Sequence, residues 1–203
     1  MSRYSSHDPY LDPASGVLKN RFGIADEATL EATEASLVAF RSYELAQRPL
    51  AGKFDLAHLQ AIHRYLFGDV YEWAGQLRTI DISKGGNAFA HHGYIVTAAQ
   101  PIFAALAREQ HLAGLLPPAF SARAAHYLGE INALHPFREG NGRAQREFVS
   151  HLAHANGYYL AWESIAPDRM LQASIESFHG NVAKLAAIIH ENLTRLEQAA
   201  PTS

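Results

Sequence analysis

The sequence predicts an all-α domain, a helical bundle carrying one small β-hairpin. Three observations point there. Apolar residues recur at helical spacing in successive segments separated by Pro and Gly. A single run alternates apolar and polar side chains, and a Gly-rich turn follows it. The 203 residues are 48% apolar and 18% charged, which is enough material for one sizeable core.

Residues 1–20 carry Pro9, Pro13 and Gly16 and read as an irregular arm; residues 21–198 read as a single domain. Asp26 is placed to cap a first helix that runs to about Gln47, with Leu30, Leu37 and Phe40 on one face. Pro49 and Gly52 break it. Asp55 caps a second helix with Leu59, Ile62, Leu66 and Phe67 at helical spacing. Leu77 to Ser83 is the alternating run, Lys84-Gly85-Gly86-Asn87 the turn, and Ala88-Phe89-Ala90 the returning strand. Helical patterns follow over about 94–113, 121–134, 143–155 and 168–198. Pro117-Pro118 separates the first two, and Asn156-Gly157 ends the third.

Charge and composition remove several function classes. Lys plus Arg is 17 and Asp plus Glu is 20, a net charge of −3, so bulk charge does not hold this chain on nucleic acid. The absence of cysteine excludes disulfide scaffolds, thiolate metal sites and thiol catalysis. The N-terminus has no apolar signal region and no run is long enough to span a bilayer, which makes the cytoplasm the expected address. No HExxH or comparable ligand spacing favours zinc at His91-His92, His126, His151 or His154.

The chemistry lies in His135-Pro-Phe-Arg-Glu139-Gly-Asn-Gly-Arg143-Ala-Gln-Arg146. Pro136 disfavours helix at His135, so the preceding helix should stop there. Gly140, Asn141 and Gly142 tolerate unusual backbone angles and lead straight into a helix. Such a loop points backbone N–H groups at one spot, where the helix dipole adds positive potential. Arg143 and Arg146 are three apart and share a helical face, a pairing suited to a polyphosphate. Glu139 sets a carboxylate beside that anion site, where a divalent cation such as Mg²⁺ would be shared with phosphate. His135 offers an imidazole able to take a proton near neutral pH. Together these parts describe a Mg–nucleotide site with a general base.

The segment resembles the signature of the Fic family, H-P-F-x-[D/E]-G-N-G-R-x-x-R, with Glu139 as its acid. Tyr10-Leu-Asp-Pro, Leu18-Lys-Asn-Arg-Phe-Gly, His63-Arg-Tyr-Leu-Phe, Glu72-Trp-Ala-Gly-Gln-Leu-Arg and Glu130-Ile-Asn are also similar to segments of bacterial FicT toxins and Bartonella effector Fic domains. The resemblance covers roughly residues 9–190. It implies a helical Fic core, a β-hairpin flap over the active site, and transfer of AMP from ATP to a protein hydroxyl. It assigns deprotonation of that hydroxyl to His135, and Mg²⁺ to Glu139. Gly140, Asn141 and Gly142 receive the anion hole, Arg143 the β-phosphate and Arg146 the γ-phosphate. In the flap, Ile82, Ala88 and Phe89 are the residues expected to hold the target.

The resemblance also implies regulation. Many relatives are held inactive by a helix of pattern [S/T]-x-x-x-E-[G/N], whose Glu pairs with the second motif arginine, here Arg146. No Glu of this chain has Ser or Thr four residues before it; the nearest miss is Ala187-x-x-x-Glu191-Asn192. A small antitoxin supplying that helix in trans is therefore expected. Similarity to the toxins suggests a tyrosine of the gyrase B or topoisomerase IV ATPase subunit as target. Phosphorylation of the target, host-directed AMP transfer (for which no secretion domain is visible after residue 200) and an inert nucleotide- or peptide-binding module are the alternatives.

Overall fold

A computed structural model describes residues 8–84 and 86–196. Among them lie seven α-helices: α1 (Glu27–Gln47), α2 (Leu56–Phe67), α3 (Ile95–Arg108), α4 (Pro117–Leu134), α5 (Asn141–Ala155), α6 (Pro167–Phe178) and α7 (Ala183–Glu191). Four short strands pair as two antiparallel ribbons: β1 (Ser83–Lys84) with β2 (Asn87–Ala88), and β3 (Tyr158–Leu160) with β4 (Leu193–Arg195). α4 is central and touches α3, α5, α6 and α7. Its buried Phe120, Ala124, Leu128 and Ile131 join Leu59, Ile62, Leu66, Phe148 and Leu152 in one apolar cluster. No helix among the described residues is long and apolar enough to cross a membrane.

Both capping expectations hold. Asp26 accepts the Thr29 N–H at 2.8 Å, and Asp55 accepts the His58 N–H at 2.8 Å. Several boundaries differ, each for a physical reason. Pro117-Pro118 does not separate helices; it opens α4, because a missing N–H costs nothing in a helix's first turn. The 168–198 pattern is two helices and a strand: Gly180, at φ +88°, divides α6 from α7, and Leu193 leaves the helix to pair with Leu160. The alternating run from Leu77 contributes only Ser83 and Lys84 to a strand. Of the earlier residues, the Arg78 N–H goes to the Pro136 carbonyl and the Thr79 N–H to the Tyr10 hydroxyl. On α1 the inner face is Leu30, Glu34, Val38 and Leu45, and Phe40 is exposed.

The expected irregular arm is in part structural; residues 1–7 lie outside the described residues. Leu11 bridges Leu18, and the Tyr10 hydroxyl accepts the Thr79 N–H at 3.1 Å. Asp8 and Arg138 form an ion pair with both side chains almost wholly buried, the guanidinium donating to Asp8 Oδ2 at 2.6 and 2.9 Å. Removing one partner of such a pair leaves a charge in a low dielectric. Asp8→Ala is therefore expected to lower unfolding stability by about 3–5 kcal/mol, measured by urea denaturation.

Candidate active site

α4 ends at His135, whose φ of +46° is left-handed. Pro136 forbids the helix to continue, and the chain reverses. The imidazole Nδ1 lies 3.1 Å from the Asn132 carbonyl, which can only accept, so Nδ1 carries the proton and Nε2 keeps the lone pair. Burial pushes the ring's pKa down to about 4, so the free base persists well below the usual imidazole range. Phe89 stacks flat on the ring, with centroids 3.7 Å apart and planes at 12°.

The loop that follows is braced from several sides. The Asn141 carboxamide accepts the Phe137 N–H at 2.9 Å and donates to the Phe137 carbonyl at 2.8 Å. The side chain so held also lines the cavity. Gly140 sits at φ +76°, and a Cβ there would fall 2.4 Å from the Phe67 ring, so only glycine fits. Glu139 accepts the Gly140 N–H on Oε1 at 3.0 Å. Its carbonyl takes a hydrogen bond from His63 Nε2 at 2.9 Å, while His63 Nδ1 accepts the Gly75 N–H at 2.9 Å. His63 is thus a neutral imidazole of fixed tautomer, stacked between Phe67 and Phe137, with burial pushing its pKa down to about 4.

The motif arginines divide. Arg138 belongs to Asp8. Arg143 donates to Glu34 Oε1 at 2.6 Å and lies over the Phe67 ring; the Tyr71 hydroxyl donates to the same carboxylate. Arg146 has no carboxylate within 4 Å among the described residues. Burial and the neighbouring Arg143 both disfavour its charge. Glu147 opposes this from a distance, with no ion pair formed.

His135, Glu139, Asn141, Gly142, Arg146 and Phe89 line one cavity of about 610 Å³, which Lys84 also borders. Arg143 faces instead a neighbouring cavity of about 560 Å³, reached by Arg146 as well. The structure therefore brings six of the expected site residues together. Gly140 stands behind the loop, and Ile82 and Ala88 stand off at the hairpin. There Ser83 pairs with Ala88, and the Ile82 carbonyl accepts the Phe89 N–H at 3.3 Å.

Sequence reasoning missed the apolar half of the cavity: Trp162, Ile165, Met170, Leu171, Ile175 and Phe178. No signal in the sequence separates this wall from core: α6 carries Met170, Leu171, Ala173, Ile175 and Phe178 but buries only Ala173 and Ser177. Trp162 borders the cavity and is anchored by its indole N–H to Ser150 Oγ at 2.7 Å. At the base of the hairpin, Asp81, His91 and His92 bring three ligand-type atoms within 4.8 Å. The Gly93 N–H points at His91 Nδ1, which places the neutral ring's proton on Nε2, facing Asp81. That geometry makes the cluster a hydrogen-bonded staple.

The His135 imidazole, the Glu139 carboxylate and Arg146 thus share one cavity at the N-terminus of α5 with an apolar wall, a lining suited to a polyphosphate bearing a ring. Known proteins narrow that reading. Residues 53–153 match the Fic/DOC family model. The chain is 51% identical over 195 residues to "Protein adenylyltransferase VbhT" of Bartonella schoenbuchensis, covering 96% of this chain and 41% of that protein's length. It is 44% identical over 191 residues to "Probable protein adenylyltransferase y4lH" of Sinorhizobium fredii, covering 93% of this chain and 98% of that one. Its fold matches the BepC effector protein of Bartonella tribocorum, solved with bound AMPPNP, at a TM-score of 0.88 and 28% identity over 93% of this chain and 97% of that one. The chain belongs to the Fic/DOC family, and among these relatives its enzyme class is protein adenylyltransferase.

Because the folded protein keeps His63 and His135 neutral to about pH 4, the unfolded chain takes up their protons first, near pH 6.5. Stability is full above pH 6.5 and falls as the pH drops from there toward 4, by up to about 1.4 kcal/mol per pH unit for each ring. Urea denaturation across that window should show the slope, and His63→Gln should reduce it by one ring's share.

Proposed function

We propose that this chain transfers AMP from Mg–ATP to a hydroxyl of a target protein. The observation that carries the reading is that the neutral His135 and the unpaired Arg146 line the same cavity. A base and a polyphosphate anchor are then held at a set separation. The target oxygen attacks the α-phosphorus, and its proton passes to His135 Nε2. The bond from the α-phosphorus to the bridging oxygen breaks, and pyrophosphate leaves. The N-terminal amides of α5 and the Asn141 carboxamide face the charge that develops.

Arg146 binds the γ-phosphate. The resemblance gives Arg143 the β-phosphate, but here it pairs with Glu34 and turns to the neighbouring cavity, so its part in phosphate binding runs through the junction that Arg146 shares with both cavities. Glu139 is the single carboxylate lining the cavity, which suits a Mg²⁺ that takes its remaining ligands from phosphate and water. Trp162, Met170 and Ile175 form an apolar wall suited to the adenine ring. An extended target segment adds to the hairpin, with Phe89 over the modified side chain.

The reading extends to a toxin of a toxin–antitoxin pair acting in the cytoplasm. Its target is a tyrosine of the gyrase B or topoisomerase IV ATPase subunit, and a small antitoxin supplies the inhibitory helix. Two features support control in trans. Glu191, the nearest approach to an internal brake, is engaged by Arg169 at 2.7 Å. The second cavity, beside Arg146, is walled by Tyr43, Pro49, Tyr159 and Trp162, and Tyr43 is largely exposed.

The test uses the purified chain in bacterial lysate with Mg²⁺ and ATP labelled at either the α- or the γ-phosphate. Label is expected from α-ATP only, on a band the size of a gyrase subunit, and His135→Ala should reduce it by about 10²–10⁴-fold. Label from γ-ATP would make the enzyme a kinase, and no label from either would overturn the proposal. Arg146→Ala should weaken ATP binding by about 10–100-fold, the loss of a charge-assisted contact, read by calorimetry.

A further inference from the structure

Arg78 has a side chain with no exposure to solvent, and its ion pair is a long one. The one carboxylate within 4 Å among the described residues is Asp81, half exposed and 3.7 Å away. Carbonyl groups compensate the guanidinium instead. Nε donates to the His135 carbonyl at 2.8 Å, and Nη1 donates to the Ile80 carbonyl at 2.7 Å. Nη2 donates to the carbonyls of Ala90 and Leu134. The Arg78 main-chain N–H adds a bond to the Pro136 carbonyl at 2.9 Å.

Two groups of acceptors are joined in this way. Leu134 and His135 are the C-terminal carbonyls of α4, orphaned by the turn and sitting at the negative end of its dipole. Ile80 and Ala90 are the two feet of the hairpin, and the Ala90 N–H returns to the Ala133 carbonyl at 3.3 Å. Five donors fixed in a plane can span four carbonyls; a lysine ammonium on a flexible stem cannot.

We propose that Arg78 is a positioning residue that holds the His135 turn and the base of the hairpin as one rigid unit. The base and the target-holding strand thereby keep their separation. The inference rests on the reading of His135 as base and the hairpin as target holder. It also separates two halves of the site. The nucleotide half is braced by His63, Asn141 and the Glu139–Gly140 contact, none of which uses Arg78.

The test is Arg78→Lys in the full chain, with Leu185→Ala in α7 as a control for lost core packing away from the site. AMP transfer from α-labelled ATP is titrated with bacterial lysate, to separate the maximal rate from the half-saturating lysate concentration. ATP–Mg²⁺ binding is measured by calorimetry, and amide exchange by NMR. The maximal rate should fall by about 10–100-fold, the scale of one or two lost hydrogen bonds to a charged group. The half-saturating concentration should rise, and ATP affinity should stay within about threefold. The Phe89 and Ala90 amides should exchange faster, while the Phe137 and Ala144 amides do not change.

An unchanged rate would overturn the proposal. So would ATP affinity falling in step with transfer, or an equal loss in Leu185→Ala. Should Arg78→Lys not fold, the wild-type Arg78 Nε–H decides. It must exchange far more slowly than that of exposed Arg48, and equal rates would overturn the proposal. A wild type that labels nothing would sink the adenylylation reading, while the exchange data would still judge the coupling.

Discussion

The structure depends on one constraint: α4 must stop at His135, and the chain must reach α5 within a few buried residues. Pro136 enforces the stop, and the left-handed His135 starts the reversal. A buried stretch without helical hydrogen bonds is costly unless its polar groups find other partners. Here they do. Arg78 takes the carbonyls of Leu134 and His135 and donates its own N–H to Pro136. Asn141 takes both polar groups of Phe137, and His63 takes the carbonyl of Glu139. Asp8 neutralises Arg138. The arm, the turn before the hairpin and α2 all converge on six residues, because those residues cannot satisfy themselves.

The same bracing explains the electrostatics. Four arginines lie in or against the motif, and three are satisfied by the protein. Arg138 has a carboxylate, Arg143 has a carboxylate and an aromatic face, and Arg78 has carbonyls. Arg146 alone among them lines the cavity with no carboxylate within 4 Å among the described residues, Glu147 acting on it only at longer range. Positive potential is therefore delivered at one place in a protein whose net charge is −3. His135 stays neutral chiefly because it is buried, with Lys84 and Arg78 adding to that and Glu139 opposing it.

The legible parts of the fold were those with local causes. Asp26 and Asp55 announce helix starts because a carboxylate accepts free N–H groups wherever it stands. The Gly140-Asn141-Gly142 loop and the following helix were legible for the same reason. The misread parts depend on distant partners. Tyr158–Leu160 and Leu193–Arg195 are strands only because the end of the chain returns to them across more than thirty residues. In the run from Leu77, Arg78 and Thr79 spend their main-chain donors on Pro136 and Tyr10, partners distant in sequence. The aromatic wall at Trp162 and α6 was invisible because a half-exposed apolar face looks like any other in one dimension.

By itself, the sequence determined the class of fold, the family signature and the chemical types at the site, since helix caps, proline stops and a glycine-rich turn act over a few residues. Tertiary structure alone decided which of those groups meet. It gave Arg143 to Glu34 and left Arg146 bare, set Phe89 on His135, and buried Arg78 between the base and the hairpin. The reason is physical. Pairing and burial of charge depend on the dielectric and the partners a side chain finds in space, and residues as far apart as Asp8 and Arg138 acquire both only when the chain has closed on itself.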